Sequence, residues 1–290
     1  MDQLVAQLGV GVRDDGFISA DDLGVNRGDG CFDATLVRVD GGDVAADFVD
    51  VHLARLGRSA EKLDMPPVDA DAWRQLTREA LTEWQRRGGA EAVCKFVYTR
   101  GQESVPDGPL GFLTITELTA KRIASRESAT VVTLSAGRAS DALSDAPWLL
   151  GGAKTLSYAT NMAYVREAHR RGVTDPVFLT TDGYVLEGPQ SGLLVLRDGS
   201  LSTTPVESTG ILDSITVRHA IAGWQDLGRP VEYTLHTTNN LLAAEAAWLA
   251  SSVRGITPIV ELNGHAMSQD PSATEELRAL VRPQPTPKGS

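Results

Sequence analysis

The sequence predicts a two-domain α/β protein, and three observations carry that expectation. A chain of 290 residues, 42% hydrophobic and 22% charged, is long enough for one large core or two medium ones. Short apolar runs with strand character alternate with segments of helical period. A polar stretch of mixed charge over residues 117–127 interrupts this pattern before the midpoint. The expected division is a smaller N-terminal α/β domain over residues 1–118, a connection over 119–128 and a larger C-terminal α/β domain over 129–290.

The elements follow in order. Residues 36–39 before Asp40-Gly41-Gly42 read as a strand entering a turn. Residues 50–63 predict a helix with Leu53, Leu56 and Leu63 on one face, and 73–87 a second helix closed by Gly88-Gly89. Residues 92–98 and 111–115 read as strands. The second half opens with a strand at 130–134, then an apolar run, Pro147-Trp148-Leu149-Leu150, expected to carry Lys154 out of a strand. An amphipathic helix runs from there to Arg171 and stops at Gly172. Asp182-Gly183 and Asp198-Gly199 each predict a hairpin. Helices are expected at about 214–227 and 240–250, and the proline-rich stretch 282–287 reads as loose.

Charge and composition exclude several functions. A formal net charge of -11 repels nucleic acid and anionic membrane, so a small anion would need a local cationic pocket. Cys31 and Cys94 form no C-x-x-C motif, and the five histidines show no H-E-x-x-H spacing. No disulfide framework and no metal site are expected. The amino terminus lacks a basic, apolar leader, and no stretch is long enough to span a bilayer. The expectation is a reduced, cytoplasmic, soluble protein.

Chemistry concentrates around Lys154. A lysine placed among apolar residues loses its proton readily and becomes an amine nucleophile. Gly151-Gly152 leaves space for a flat ring beside it, or simply makes a bend before the helix. Glu187, held at a strand end by Gly188-Pro189, is either an exposed carboxylate or the partner of a protonated ring nitrogen. Residues 210–216 read as a loop entering a helix, whose free N–H groups suit a phosphate, with Ile215 and Thr216 in the first turn. A plain N-cap by Asp213 or Ser214 is the alternative; beside a phosphate the Asp213 carboxylate must point away. Ser251 and Ser252 offer small donors after the last of these helices. Arg55 is a candidate cation for the same anion, unless it pairs on the surface with Asp50 or Glu61.

Together these segments resemble the class IV aminotransferases, the fold-type IV pyridoxal phosphate enzymes, from about Gly28 to Ile259. The pieces that carry the resemblance are Gly28-Asp29-Gly30-Cys31-Phe32, His52-Leu53-Ala54-Arg55-Leu56, Lys154-Thr155-Leu156-Ser157-Tyr158, Glu187-Gly188-Pro189-Gln190-Ser191 and Ile215-Thr216. The resemblance implies pyridoxal 5′-phosphate between two α/β domains and, in most members, a homodimer. It implies Lys154 as the Schiff-base lysine and proton shuttle, and Glu187 as the pyridine-nitrogen partner. It also implies Arg55, Ile215, Thr216 and Ser252, with Ser251 beside them, around the phosphate, and Tyr158 resembles the tyrosine that in some members bonds the ring hydroxyl.

The sequence departs from the family pattern at Gln190 and Gly192, where many members have Gly and Asn, and at Ser214, where Gly is frequent. Phe32-Asp33-Ala34 replaces the F-E-G of branched-chain enzymes. Thr99-Arg100-Gly101 lacks the following R-x-H of D-amino acid enzymes. Ala34 stands where aminodeoxychorismate lyases often have Thr. The expected reaction is amino transfer between a small amino acid or amine and a keto acid, with aminodeoxychorismate lyase as the alternative. The substrate carboxylate is expected to meet Arg38, Arg100 or Arg254, arginine being suited to bidentate pairing.

Overall fold

The computed structural model describes residues 3–105 and 108–283. Its first half is a six-stranded antiparallel sheet in the spatial order Gly11–Arg13, Gln3–Gln7, Leu110–Glu117, Ala92–Thr99, Gly30–Asp40, Asp43–Ala46. The helices Val49–Lys62 and Ala70–Arg86 cover one face. Their apolar stripes meet the sheet in a core that contains Trp73, Trp84, Phe96, Leu53 and Leu56. The Trp73 and Phe96 rings pack edge to face with centroids 5.7 Å apart. Gly88 adopts φ +68° to end the second helix, and a side chain on Gly89 would collide with the Trp84 ring at 2.2 Å.

Alternation along Gly30–Asp40 sets up everything that follows. Cys31, Asp33, Thr35 and Val37 are buried toward the helices, while Phe32, Ala34 and Leu36 point to the opposite face. That second face looks toward the C-terminal half. Both cysteines are free and buried, and loss of solvent pushes each thiol up to about 12.

The second half is a ten-stranded mixed sheet in the order Val231–Tyr233, Ser200–Thr203, Gly192–Arg197, Ala246–Ser251, Gly255–Leu262, Ala129–Ser135, Asp175–Leu179, Tyr184–Val185, His236–Thr237, with His265–Ala266 paired to Gly255–Leu262. The helices Ile215–Asp226 and Pro271–Leu280 cover one side around Trp224 and Trp248. Both predicted hairpins form: Asp175–Leu179 pairs antiparallel with Tyr184–Val185, and Gly192–Arg197 with Ser200–Thr203. The polar stretch between the sheets holds a short helix, Ala120–Ala124.

Two sequence expectations are overturned. Residues 240–250 are not one helix; a single turn, Thr238–Leu242, is followed by the strand Ala246–Ser251. The run Ala-Ala-Trp-Leu-Ala is apolar without a gap, so periodicity cannot separate helix from strand. Its position between two other strands, buried on both faces, decides for strand despite the alanines. The apolar run before Lys154 is likewise no strand: Pro147–Leu149 is a 3₁₀ turn, and the chain reaches Lys154 in irregular form. Residues 284–287 of the expected loose tail lie outside the described residues. Among the described residues no helix is long and apolar enough to cross a membrane, and no group of three His, Cys, Asp or Glu could hold a metal ion.

Candidate active site

Lys154 lies in sequence with the C-terminal half, but the N-terminal half positions it. Its N–H donates to Ser59 Oγ at 3.1 Å, and its carbonyl accepts from Phe32 N at 2.9 Å. Leu156 N donates to Gly30 O at 2.8 Å, so residues 154–156 lie as a short antiparallel bridge along the strand edge. This approach needs a glycine: a Cβ on Gly30 would sit 2.6 Å from the Tyr98 carbonyl and 2.9 Å from Leu156. Gly151 has a related role. It packs on Leu143 and Gly210, and Gly152 N donates to Gly210 O at 2.8 Å. The glycine pair therefore joins two backbones rather than only clearing room for a ring.

The Lys154 amine projects into a cavity of about 580 Å³ between the two sheets. It stands 4.6 Å from the Phe32 ring centroid and 5.4 Å from that of Tyr158. Glu187 lines the same cavity. Desolvation by the cavity walls, followed by the nearby Arg55 charge, lowers the Lys154 pKa to about 8. Desolvation raises Glu187 to about 7, against the pull of the Leu212 N–H, which donates to it at 3.2 Å, and of Lys154. A half-buried amine and a half-buried carboxyl, both shifted toward neutrality, thus face one cavity.

Next to them is a buried cluster built on the helix-facing side of the sheet. Asp33 receives Arg55 Nε at 2.8 Å and Nη2 at 2.7 Å, and its Oδ1 lies 2.7 Å from His52 Nδ1. Burial alone would raise the Asp33 carboxyl; Arg55 and His52 outweigh it and hold it well below the usual range. Arg55 also donates to the Asp213 carbonyl at 3.0 Å. Of its five N–H groups, two remain, and Arg55 lines the cavity. Asp33 and His52 were missed as site residues. The signal was present in the strand alternation, which puts position 33 on the same side as the His52-x-x-Arg55 helix face.

Breaking a buried pair of this kind costs about 3–5 kcal/mol. Asp33→Ala is expected to lower the melting temperature and to weaken cofactor binding at least tenfold, checked by fluorescence titration. Unchanged cofactor affinity would contradict the expectation that Arg55 meets a phosphate.

The loop before Ile215–Asp226 is laid out as an anion seat. Ser214 is the N-cap, its hydroxyl accepting from Val217 N at 3.4 Å, which leaves the N–H groups of Ile215 and Thr216 without intrahelical acceptors. Asp213 turns its carboxylate outward to Arg58 at 3.2 Å and Arg218 at 3.4 Å. Gly192 packs against this turn: a Cβ there would lie 2.6 Å from Val217. Ile215 and Thr216 side chains line a smaller neighbouring cavity of about 240 Å³, which shares Ser251, Ser252 and Arg254 with the larger one. Ser251 ends a strand and Ser252 follows it, where the sequence predicts a helix. Tyr158 OH donates to the Pro189 carbonyl, which also accepts from Asn161 Nδ2 at 3.1 Å. Desolvation and Glu187 push the Tyr158 phenol up to about 12, so it stays protonated.

The three candidate arginines separate. Arg254 lines the Lys154 cavity but donates to Asp175 at 2.7 Å and to the Ser125 carbonyl. Arg38 is held by Asp47 at 2.7 Å and lines only the smaller cavity. Arg100 is held by Asp29 at 2.7 Å and by the Leu63 carbonyl at 2.6 Å, and does not line the Lys154 cavity. Arg38, on the strand Gly30–Asp40, and Arg100, just after Ala92–Thr99, are pointed at local acids, which sequence spacing cannot show.

Comparison with known proteins agrees with this geometry. The family model described as amino-transferase class IV matches residues 30–262. The chain belongs to the class IV aminotransferases. It is 34% identical over 263 residues to a Mycobacterium tuberculosis protein named bifunctional aminodeoxychorismate lyase / D-amino acid transaminase, covering 88% of this chain and 89% of the relative. A fold IV-transaminase from Curtobacterium pusillum superposes with a TM-score of 0.89 at 35% identity, covering 98% of this chain and 100% of that one. A hypothetical aminotransferase from Mycobacterium tuberculosis in its form bound to alpha-ketoglutarate and pyridoxamine phosphate superposes with a TM-score of 0.89 at 33% identity, covering 96% and 97%. This class IV aminotransferase is an enzyme whose cofactor is pyridoxal 5′-phosphate. Its cavity fits that group: with respect to the described residues, an amine without a hydrogen-bond partner, a carboxyl with a free oxygen and an arginine with two unused donors converge on one space.

Proposed function

We propose that this enzyme transfers an amino group between a small amino acid or amine and a keto acid, with Lys154 as the residue that holds the cofactor covalently and moves the proton. The observation that carries the reading is the pairing of Lys154 and Glu187 across one cavity, both shifted toward neutral pH. Bound pyridoxal phosphate supplies the electron sink for a carbanion at the substrate carbon. Arg55, the N–H groups of Ile215 and Thr216, and Ser251 and Ser252 would hold its phosphate. Glu187 would keep the ring nitrogen protonated, and Tyr158 would face the ring hydroxyl. Phe32 and Tyr158, edge to face at 5.3 Å, wall the amine from water. With a pKa of about 8, Lys154 can both accept and return a proton near neutral pH.

Covalent capture needs the neutral amine. The rate at which apoenzyme takes up pyridoxal phosphate is expected to rise about tenfold per pH unit up to about pH 8, then level off. Stopped-flow absorbance measures this; a flat profile from pH 6 to 9 would contradict the assignment of Lys154.

Among the three candidate arginines, Arg254 alone lines the cavity and is the one retained for the substrate carboxylate. A homodimer suits the exposed Trp148 (74%) and Leu149 (54%) beside the cavity. The net negative charge supports a protein with no nucleic-acid or membrane partner, and a cytoplasmic location fits the free cysteines.

The lyase reading is the second one, favoured by the double name of the Mycobacterium tuberculosis relative. The same lysine would serve to release pyruvate from aminodeoxychorismate. Product analysis with and without a keto-acid acceptor tests both: acceptor-dependent turnover supports transfer, and pyruvate formed without acceptor supports the lyase.

A further inference from the structure

The helix Val49–Lys62 holds the C-terminal half with one face. Arg55 donates to the Asp213 carbonyl at 3.0 Å, Ser59 accepts from Lys154 N at 3.1 Å, and Lys62 Nζ donates to the Gly151 carbonyl at 2.5 Å. Positions 55, 59 and 62 share that face by helical spacing. Phe48, the residue that opens the helix, meets the same half through its ring. It lies edge to face on His219, with centroids 4.2 Å apart. His219 stands one turn after Ile215 in the helix Ile215–Asp226, whose first N–H groups form the anion seat. Both rings line the smaller cavity together with Thr216, Ser251 and Ser252. The contact therefore joins the helix that carries Arg55 to the helix that supplies Ile215 and Thr216.

The backbone at Phe48 is held against its preference. Its φ of +50° and ψ of +37° are left-handed, a conformation that a bulky residue keeps only under constraint, and its side chain makes no cap bond in compensation. Its carbonyl accepts from Val51 N at 3.0 Å and His52 N at 3.1 Å, so this residue sets the direction in which the helix leaves the sheet. Glycine would adopt the same conformation without strain. A phenyl ring there carries a cost that the His219 contact offsets. Among the described residues, His219 has no hydrogen-bond or ion-pair partner. Burial, followed by the Arg218 charge and His52, lowers its pKa, so the ring that meets Phe48 is neutral at pH 8.

We propose that Phe48 and His219 are positioning residues, a latch between the two halves that keeps Arg55 and the Ile215 and Thr216 N–H groups at the spacing a phosphate needs. This rests on the phosphate seat proposed above. The latch bears most on pyridoxamine phosphate, which has no aldehyde for Lys154 to bond, so that non-covalent contacts alone retain it.

The test reads binding and needs no turnover. Equilibrium dialysis of the full chain at pH 8 compares pyridoxamine phosphate with pyridoxamine, which lacks the phosphate. Wild type is set beside Phe48→Gly, His219→Ala, the double variant Phe48→Gly/His219→Ala and the ring-preserving His219→Phe. Phe48→Gly and His219→Ala are each expected to weaken pyridoxamine phosphate at least about tenfold and pyridoxamine less than about threefold. The double variant loses no more than about twofold beyond Phe48→Gly, and His219→Phe stays within about threefold of wild type. Losses that multiply in the double variant, equal weakening of both amines, or affinities unchanged across the series overturn the latch. Should Phe48→Gly melt far below wild type, His219→Ala decides by the same comparison, since His219 is only partly buried. A wild type that binds both amines equally overturns the phosphate seat and the latch with it. A phosphate preference kept by every variant overturns the latch alone.

Discussion

Replacing Lys154 by alanine is expected to lower turnover by about 10⁴-fold or more and to abolish any cofactor fixed by borohydride. The amine has two duties in this site, covalent attachment and proton movement, and no other group can take both. Lys95 shares the Phe32 ring, but it rises from the neighbouring strand Ala92–Thr99, and its amine lies farther from that ring, at 5.4 Å against 4.6 Å for Lys154. A general acid–base alone contributes about 10²–10⁴-fold, and loss of covalent attachment adds to that. Misfolding would be a trivial cause, and the structure argues against it. Below pH 8 the Lys154 charge is held in a partly desolvated place against Arg55, so its removal does not lower the stability of the apoenzyme. The measurements are turnover, mass of the borohydride-treated protein and apo melting temperature at pH 7. A variant that keeps more than about 1% of turnover would sink the mechanism.

Glu187→Gln is expected to slow the proton-transfer half-reaction by about 10²-fold or more while cofactor still binds. A glutamine has no charge to keep the ring nitrogen protonated, yet can accept the same Leu212 N–H. The variant also separates function from stability. The folded Glu187 pKa, about 7, lies above the ordinary 4.5, so the folded apoenzyme binds the extra proton. That contribution is fully present below pH 4.5 and is lost as pH rises through 7. At pH 8 the wild-type apoenzyme therefore carries a penalty of about 2 kcal/mol, allowing for the open cavity, which the glutamine removes. The apo variant should melt a few degrees higher than wild type at pH 8, with no gap below pH 4.5. Equal half-reaction rates for variant and wild type would remove Glu187 from the chemistry.

Much of the site was legible as short pieces of sequence. The helix start at Asp213 or Ser214 is marked in the sequence, and the structure chooses Ser214 as N-cap with Asp213 turned outward. The helices over Val49–Lys62 and Ala70–Arg86 carry strong apolar stripes, and both hairpin turns are marked by Asp-Gly. The misread segments fail for a shared reason. An unbroken apolar run, 246–250, and a Pro- and Gly-flanked run, 147–153, have no period, so only their neighbours define them.

By itself, the sequence determined which side chains carry chemistry: an amine after two glycines, a carboxyl before Gly-Pro and an arginine on an amphipathic helix are local patterns. Only the tertiary structure decided how they act. The backbone of Lys154 is fixed by Ser59 and Phe32, about a hundred residues away, and Arg55 is oriented by Asp33 from the sheet beneath it. Arg38 and Arg100 are withdrawn by nearby acids, while Arg254 stays on the cavity wall. The reason is physical. Charge and reactivity belong to a residue type, whereas desolvation and pairing depend on which distant groups the fold brings within a few ångströms.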